Sequence, residues 1–159
     1  MRGSKLDRTD RAILRALQAD GRMTNVDLAR TVGISPPPCL RRVRALEKTG
    51  YIRRYRAELD AERLGYGVTV FAMVGLHSQA EADLKAFEAL VAGWPEVREG
   101  YMLAGETDFI LKVSARDWDA YQNFVTTKLT AAPNVRGVKS AMALRASKHD
   151  PGVPIESGD

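Results

Sequence analysis

The chain has 159 residues, 45% of them hydrophobic and 28% charged, which fits one folded domain or two small ones and excludes a disordered chain. No apolar stretch approaches the ~20 residues that span a bilayer, and the opening "MRGSKLDRTD" has no signal-peptide core, so the sequence reads as cytoplasmic with no membrane partner. Its net charge of +4 is unevenly divided: residues 1–66 hold 15 Lys and Arg against 8 Asp and Glu, the remainder 9 against 12, which points to a basic module for a polyanion joined to a module of another kind.

"LDRTDRAILRALQAD" carries Leu6, Ile13, Leu14 and Leu17 near helical spacing, opens on an Asp-rich turn and stops at Asp20-Gly21, which predicts a first helix. "TNVDLARTVG" predicts a second, with Thr24 and Asp27 as a variant capping box and Gly33 as its stop. After the short "VGIS" turn comes "SPPPCLRRVRALEKTG". Ser35 stands where an N-cap hydroxyl belongs and Pro36 fits the first helical position. Because residues before prolines are pushed out of the helical region, regular helix is expected only from Pro38. Pro36, Cys39, Leu40, Val43 and Leu46 form the expected apolar stripe, and Arg41, Arg42, Arg44 and Lys48 fall mostly outside it with Pro37 and Pro38. Cys39 on that stripe reads as a small hydrophobe.

Two helices joined by a tight turn, the second with an outward arginine face, make a helix-turn-helix whose second helix lies in a DNA major groove. The three prolines delete N–H groups that would otherwise face a phosphate, so anion contacts fall to the arginines and the Ser35 hydroxyl. Arginine suits the position because its planar fork bonds two acceptors at once. Such a face can also be merely solvated, but the preceding helix pair and the +7 balance favour double-stranded DNA. The candidate DNA-binding residues are Ser35, Pro37, Pro38, Arg41, Arg42, Arg44, Lys48, Arg53 and Arg54. Arg41 and Arg42, near the helix start, are expected at base edges or flanking phosphates. "YIRRYRAEL" alternates apolar and basic residues, which predicts a strand keeping Arg53, Arg54 and Arg56 near the DNA backbone.

In the second half, "VTVFAMVGL" (68–76) predicts a buried strand and "EADLKAFEALVAGW" a helix, followed by Pro95-Glu96-Val97. The order recurs in "TDFILKVSA" (107–115), "DWDAYQNFVTTKLTAA", Pro133-Asn134-Val135 and "VKSAMAL". Phe71 and Phe109, Pro95 and Pro133, and Val97 and Val135 are each 38 residues apart. Two βαβ units in tandem predict a ferredoxin-like βαββαβ sheet with helices on one face, so the chain is α+β overall. The uncovered face carries apolar residues and predicts a homodimer through this half. Domain limits follow: 1–56 for DNA binding, a linker at 57–66, 67–146 for the sheet domain and a loose tail at 147–159.

RNA binding on the open sheet face is an alternative, weakened by the single aromatic of "TDFILKVSA" and the acidic balance of this half. A small enzyme of the dimeric α/β-barrel type is another. With only His77, near a strand end, and His149, in the tail, and no metal-ligand spacing, the sequence offers no convergent catalytic set, metal site or cofactor site.

These segments together resemble the Lrp/AsnC family of transcription regulators over nearly the whole chain. "LDRTDRAILRALQADGRMTNVDLARTVGISPPPCLRRVRALEKTGYI" is similar to the family's helix-turn-helix, which is winged-helix-like, and the second half to its RAM domain. "AGETDF" matches the Gly-x-x-Asp-aromatic turn with Gly105, Asp108 and Phe109. The resemblance implies DNA binding as a dimer or higher oligomer, often an octamer, modulated by a small-molecule effector, commonly an amino acid. It places the effector between RAM domains against Leu103, Ala104, Gly105, Glu106, Thr107 and Asp108 and the start of the last strand. There the family often has two threonines, which fall on Val138 and Ser140; Val138 departs by lacking the hydroxyl. The turn itself supports either reading: Asp108 or Glu106 can accept from an ammonium and the glycine turn can donate to a carboxylate, yet the same residues make an ordinary hairpin turn.

Overall fold

Residues 6–156 are described by the computed structural model, whose first part holds three helices: α1 (Arg8–Ala19), α2 (Asn25–Val32) and α3 (Pro36–Lys48). Each of the first two starts where a side-chain oxygen meets its free N–H groups. Asp7 and Asp10 form a full capping box on α1, and the Thr24 hydroxyl accepts from the Asp27 N–H of α2. Gly33 ends α2 in the left-handed conformation (φ 74°), which lets the Ile34 N–H return to the Ala29 carbonyl at 3.0 Å.

The third helix departs from expectation at its start. It begins at Pro36, not Pro38, because each proline's φ already matches a helix and the N–H groups lost in a first turn have no intrahelical partner. Ser35 has N-cap backbone geometry but makes no side-chain cap. An N-cap oxygen accepts from the second or third helical N–H, and here those positions are Pro37 and Pro38.

Ile13, Leu28, Ala29, Cys39 and Leu46 form the buried core of these helices, with Leu6, Leu14, Leu17, Val43 and Ile52 packed around it. Pro36 and Leu40 are exposed, so the apolar stripe of α3 is narrower than the sequence suggests. Residues 53–60 form no strand: among the described residues no second strand lies beside them to accept a ladder, and alternation alone does not stabilise one. Tyr55 instead turns back, donating its hydroxyl to Glu47 at 2.9 Å and resting its ring near Gly21.

The chain divides into two compact units. The first runs to Glu58 and also takes in the chain from His149; the second is Leu59–Lys148. Residues 149–153 of the expected tail are therefore not loose: Val153 hydrogen-bonds to Gln18 of α1, and His149 meets Glu58 at 3.2 Å. Residues 157–159 of the expected tail, and residues 1–5 of the expected first domain, lie outside the described residues.

In the second unit β1 (Val68–Leu76), α4 (Glu81–Ala92), β2 (Val97–Met102), β3 (Phe109–Ala115), α5 (Trp118–Phe124) and β4 (Val135–Met142) form an antiparallel sheet in the order β2-β3-β1-β4. This is the βαββαβ arrangement. Val70, Ala72, Val74 and Leu76 of β1 and Phe109, Leu111, Val113 and Ala115 of β3 face the helices, closing on Phe87, Tyr121, Phe124 and Leu129. Beyond Phe124, α5 widens into a π-helical turn, Val125–Leu129. The register shows that Phe71 pairs with Lys112 and points to the open face, whereas Phe109 pairs with Val74 and points to the core. Their spacing of 38 thus joins residues on opposite faces, while Val97 and Val135 do open equivalent strands.

Candidate functional site

The first candidate surface lies along α3. Arg41, Arg44 and Lys48 are exposed, and none has a partner among the described residues; Ser35 and Pro37 are exposed at its start, and Pro38 is half-buried. The Asn25 amide donates to the Pro36 carbonyl at 2.9 Å, tying the first turn of α2 to that of α3. With no cap to make, the Ser35 hydroxyl stays available to an outside acceptor. Arg53 and Arg54 are exposed with Arg56 on the irregular segment after α3 rather than on a strand. Cys39 is fully buried, and burial pushes its thiol up, which keeps it protonated and inert.

Arg42 differs from its neighbours. Its Nη1 donates to Asp7 Oδ2 and to Asp10 Oδ1, both at 2.7 Å, so it faces the start of α1 instead of standing free for base edges. Sequence reasoning read Asp7 and Asp10 only as a helix start. Their separation from Arg42, 32 residues at least, left no local signal of the pairing.

The second surface is the turn between β2 and β3. The Leu103 N–H donates to the Asp108 carbonyl at 2.8 Å, closing a loop of Ala104, Gly105, Glu106 and Thr107. Leu103, Ala104, Gly105 and Glu106 are exposed and Thr107 is half-buried. Asp108 is not: it is 6% exposed, and its carboxylate accepts from the Leu76 N–H at 2.6 Å and from Gln79 Nε2 at 2.7 Å. Those bonds anchor the turn to the end of β1, and Gln79 is a partner that sequence reasoning did not find.

Val138 pairs with Val74 and, half-buried, packs against the core; Asp108 donates its N–H to that same Val74. Since β1 lies between them, Val138 and the turn are two strand spacings apart, roughly 10 Å. Ser140 lies farther along β4, and its hydroxyl pairs with Tyr121 at 2.5 Å. It borders a groove of about 420 Å³ with Trp118, Tyr121, Gln122, Asn123, Val125 and Thr126. No residue of the turn lines that groove, so one chain does not gather the sequence-predicted effector residues into a single pocket.

Among the described residues no helix is long and apolar enough to cross a membrane, and no group of three His, Cys, Asp or Glu side chains is placed to hold a metal.

Comparisons with known proteins match both parts of the chain. A family model described as the Lrp/AsnC ligand binding domain fits residues 69–153, and one described as winged helix-turn-helix DNA-binding fits residues 6–53. The chain is 54% identical over 144 residues to the leucine-responsive regulatory protein of Rhizobium meliloti (strain 1021), covering 91% of this chain and 92% of that protein. It is 46% identical to the Bkd operon transcriptional regulator of Pseudomonas aeruginosa, covering 90% and 94%. Among solved structures, a transcriptional regulator from Neisseria meningitidis in complex with L-Met superposes with a TM-score of 0.90 at 39% identity, covering 94% of this chain and 97% of that one.

Proposed function

The chain belongs to the Lrp/AsnC family of transcription regulators, and on that premise we propose that it binds double-stranded DNA sequence-specifically through α3 and is modulated by a small effector, an amino acid. The observation that carries the reading is the row of exposed cations Arg41, Arg44 and Lys48, with no partner among the described residues, on the second helix of a helix-turn-helix. Arg53, Arg54 and Arg56 extend it toward the phosphate backbone. The prolines withhold N–H donors at the start of α3, so side chains carry the anion contacts. The L-Met bound to the Neisseria relative supports an amino acid as the effector class. A homodimer through the open sheet face, able to assemble further, completes the reading, with the two basic modules about 34 Å apart to meet successive major grooves.

Fluorescence anisotropy of the full chain with labelled duplex, titrated with salt, tests the DNA assignment. Log affinity is expected to fall with log salt by about 0.9 per phosphate neutralised. Tighter binding to single-stranded RNA than to duplex DNA would overturn it.

A further inference from the structure

We infer that Arg42 is a positioning residue for DNA recognition, holding α3 to the capped start of α1, and that it does not itself contact DNA; this rests on the DNA-binding reading. The geometry is closed on both sides. Asp7 Oδ1 accepts from the Asp10 N–H at 2.8 Å and Asp10 Oδ2 from the Asp7 N–H at 3.3 Å, while the other oxygen of each carboxylate accepts from Arg42. All four carboxylate oxygens of the capping box are thus engaged. The Asp10 side chain is 17% exposed and that of Arg42 34%, while Asp7, at 51%, forms the open edge of the cluster, so the Arg42–Asp10 bond is the better shielded of the two.

Charge argues in the same direction. One guanidinium between two carboxylates leaves a cluster of net −1, which repels rather than attracts a phosphate at that point. The hydrogen bonds to Asp10 and then Asp7 raise Arg42, and the Asp10 N–H first, with Arg42 after it, lowers Asp7, so both ionised forms are favoured together. Pulling Arg42 toward DNA would strand both carboxylates. Arg41 and Arg44, one residue before and two after it, are exposed with no partner among the described residues and point elsewhere on the helix. Arg42 therefore fixes the rotation at which α3 presents Ser35, Arg41 and Arg44.

The deciding experiment measures duplex affinity of the full chain across a salt series for wild type, Arg42→Ala, Arg42→Lys, Asp10→Asn, Arg41→Ala and the exchange Asp10→Arg with Arg42→Asp. Wild-type binding establishes the DNA reading first; its absence would refute that reading, not this one. Arg42→Ala is expected to weaken binding about tenfold, a coupling of ordinary size, with the wild-type salt slope. Arg42→Lys recovers part of the loss, and Arg41→Ala lowers the slope by about 0.9. Asp10→Asn removes a negative charge, so electrostatics alone would tighten binding; positioning makes it weaker. The exchange restores the ion pair and with it most of the affinity. A slope lowered by about 0.9 in Arg42→Ala, unchanged or tighter binding in Asp10→Asn, or an exchange no better than Arg42→Ala overturns the inference. Should Arg42→Ala fail to fold, the direction of the Asp10→Asn change decides alone.

Discussion

Gln18 and Val153, 135 residues apart in sequence, are joined by a two-point pair: Gln18 Nε2 donates to the Val153 carbonyl at 2.9 Å, and the Val153 N–H donates to Gln18 Oε1 at 3.1 Å. The segment around Val153 thereby becomes a strap over α1. Gly152 makes the approach possible, since it sits at φ 129° and a Cβ there would lie 2.4 Å from the Gln18 side-chain carbon.

Gly152→Ala is accordingly expected to push Gln18 aside, break both bonds and strain the backbone, costing the first unit about 1–2 kcal/mol. Gln18→Ala costs about 1 kcal/mol, and the double variant less than the sum because both remove the same pair. Thermal melts report the losses, and hydrogen exchange at the Val153 amide reports the strap itself. Additive losses with unchanged exchange would show that the strap carries no stability.

What was legible in the sequence had local causes. The Asp-rich start of α1, the Thr24 cap, the Gly33 stop and the apolar run of β1 announce themselves within a few residues of where they act. The misses needed a partner from afar. "YIRRYRAEL" alternates like a strand but has no strand neighbour among the described residues; Phe71 and Phe109 share a spacing but not a face. Arg42 was read as facing DNA, and Asp108 and Ser140 as facing an effector, because Asp10, Gln79 and Tyr121 reach them only in the folded chain. The prolines concealed a subtler point, that Ser35 can take N-cap geometry with nothing to cap.

Acid should weaken both units. Burial, the largest single effect, raises Glu96, but the hydrogen bond to Lys128 at 2.6 Å, a backbone hydrogen bond and the Lys128 charge together outweigh it and the carboxyl ends below its usual value; Asp7 is lowered by the Asp10 N–H first and by Arg42. A folded-state value below the unfolded one adds stability that is fully present above the unfolded value and lost as pH falls through the folded one. The melting midpoint should thus be flat above about pH 5 and fall below about pH 4.5. Lys128→Gln should lower the midpoint at neutral pH and flatten part of the acid limb. An acid limb identical to wild type in that variant would contradict the assignment.

The open sheet face gives a test of assembly. Phe71 on β1 and Tyr101 on β2 are both exposed there, beside Met73 and Ile110 and the Glu99–Lys112 ion pair at 2.9 Å. Phe71→Glu places an unpaired carboxylate in the middle of that face without touching the core. Light scattering should show the wild type at least dimeric and the variant shifted to monomer at micromolar concentration, with its far-UV circular dichroism unchanged. A wild-type monomer, or a Phe71→Glu variant of undiminished mass, would place the interface elsewhere.

The effector proposal meets its hardest constraint at Asp108. Because its carboxylate satisfies the buried Leu76 N–H, Asp108→Ala leaves that donor without an acceptor and should cost about 1–3 kcal/mol with no ligand present. Loss of ligand binding in that variant would therefore not identify a contact. Glu106 is better suited to the question: it is exposed on the same turn with no partner among the described residues. A thermal-shift screen against the common amino acids comes first, where a ligand at 100 times its dissociation constant should stabilise the chain by about 2.7 kcal/mol, several degrees for a small domain. Glu106→Gln should then leave the unliganded midpoint in place and reduce the shift, as removal of an ammonium acceptor requires. Asp108→Asn keeps one oxygen for Leu76, and Gln79 can turn its own oxygen toward the new amide, so it separates the anchoring role from any charge on the ligand. If no amino acid moves the midpoint, or a hit survives both Glu106→Gln and Asp108→Asn unchanged, the turn from Leu103 to Asp108 is a hairpin connection and the effector binds elsewhere or not at all.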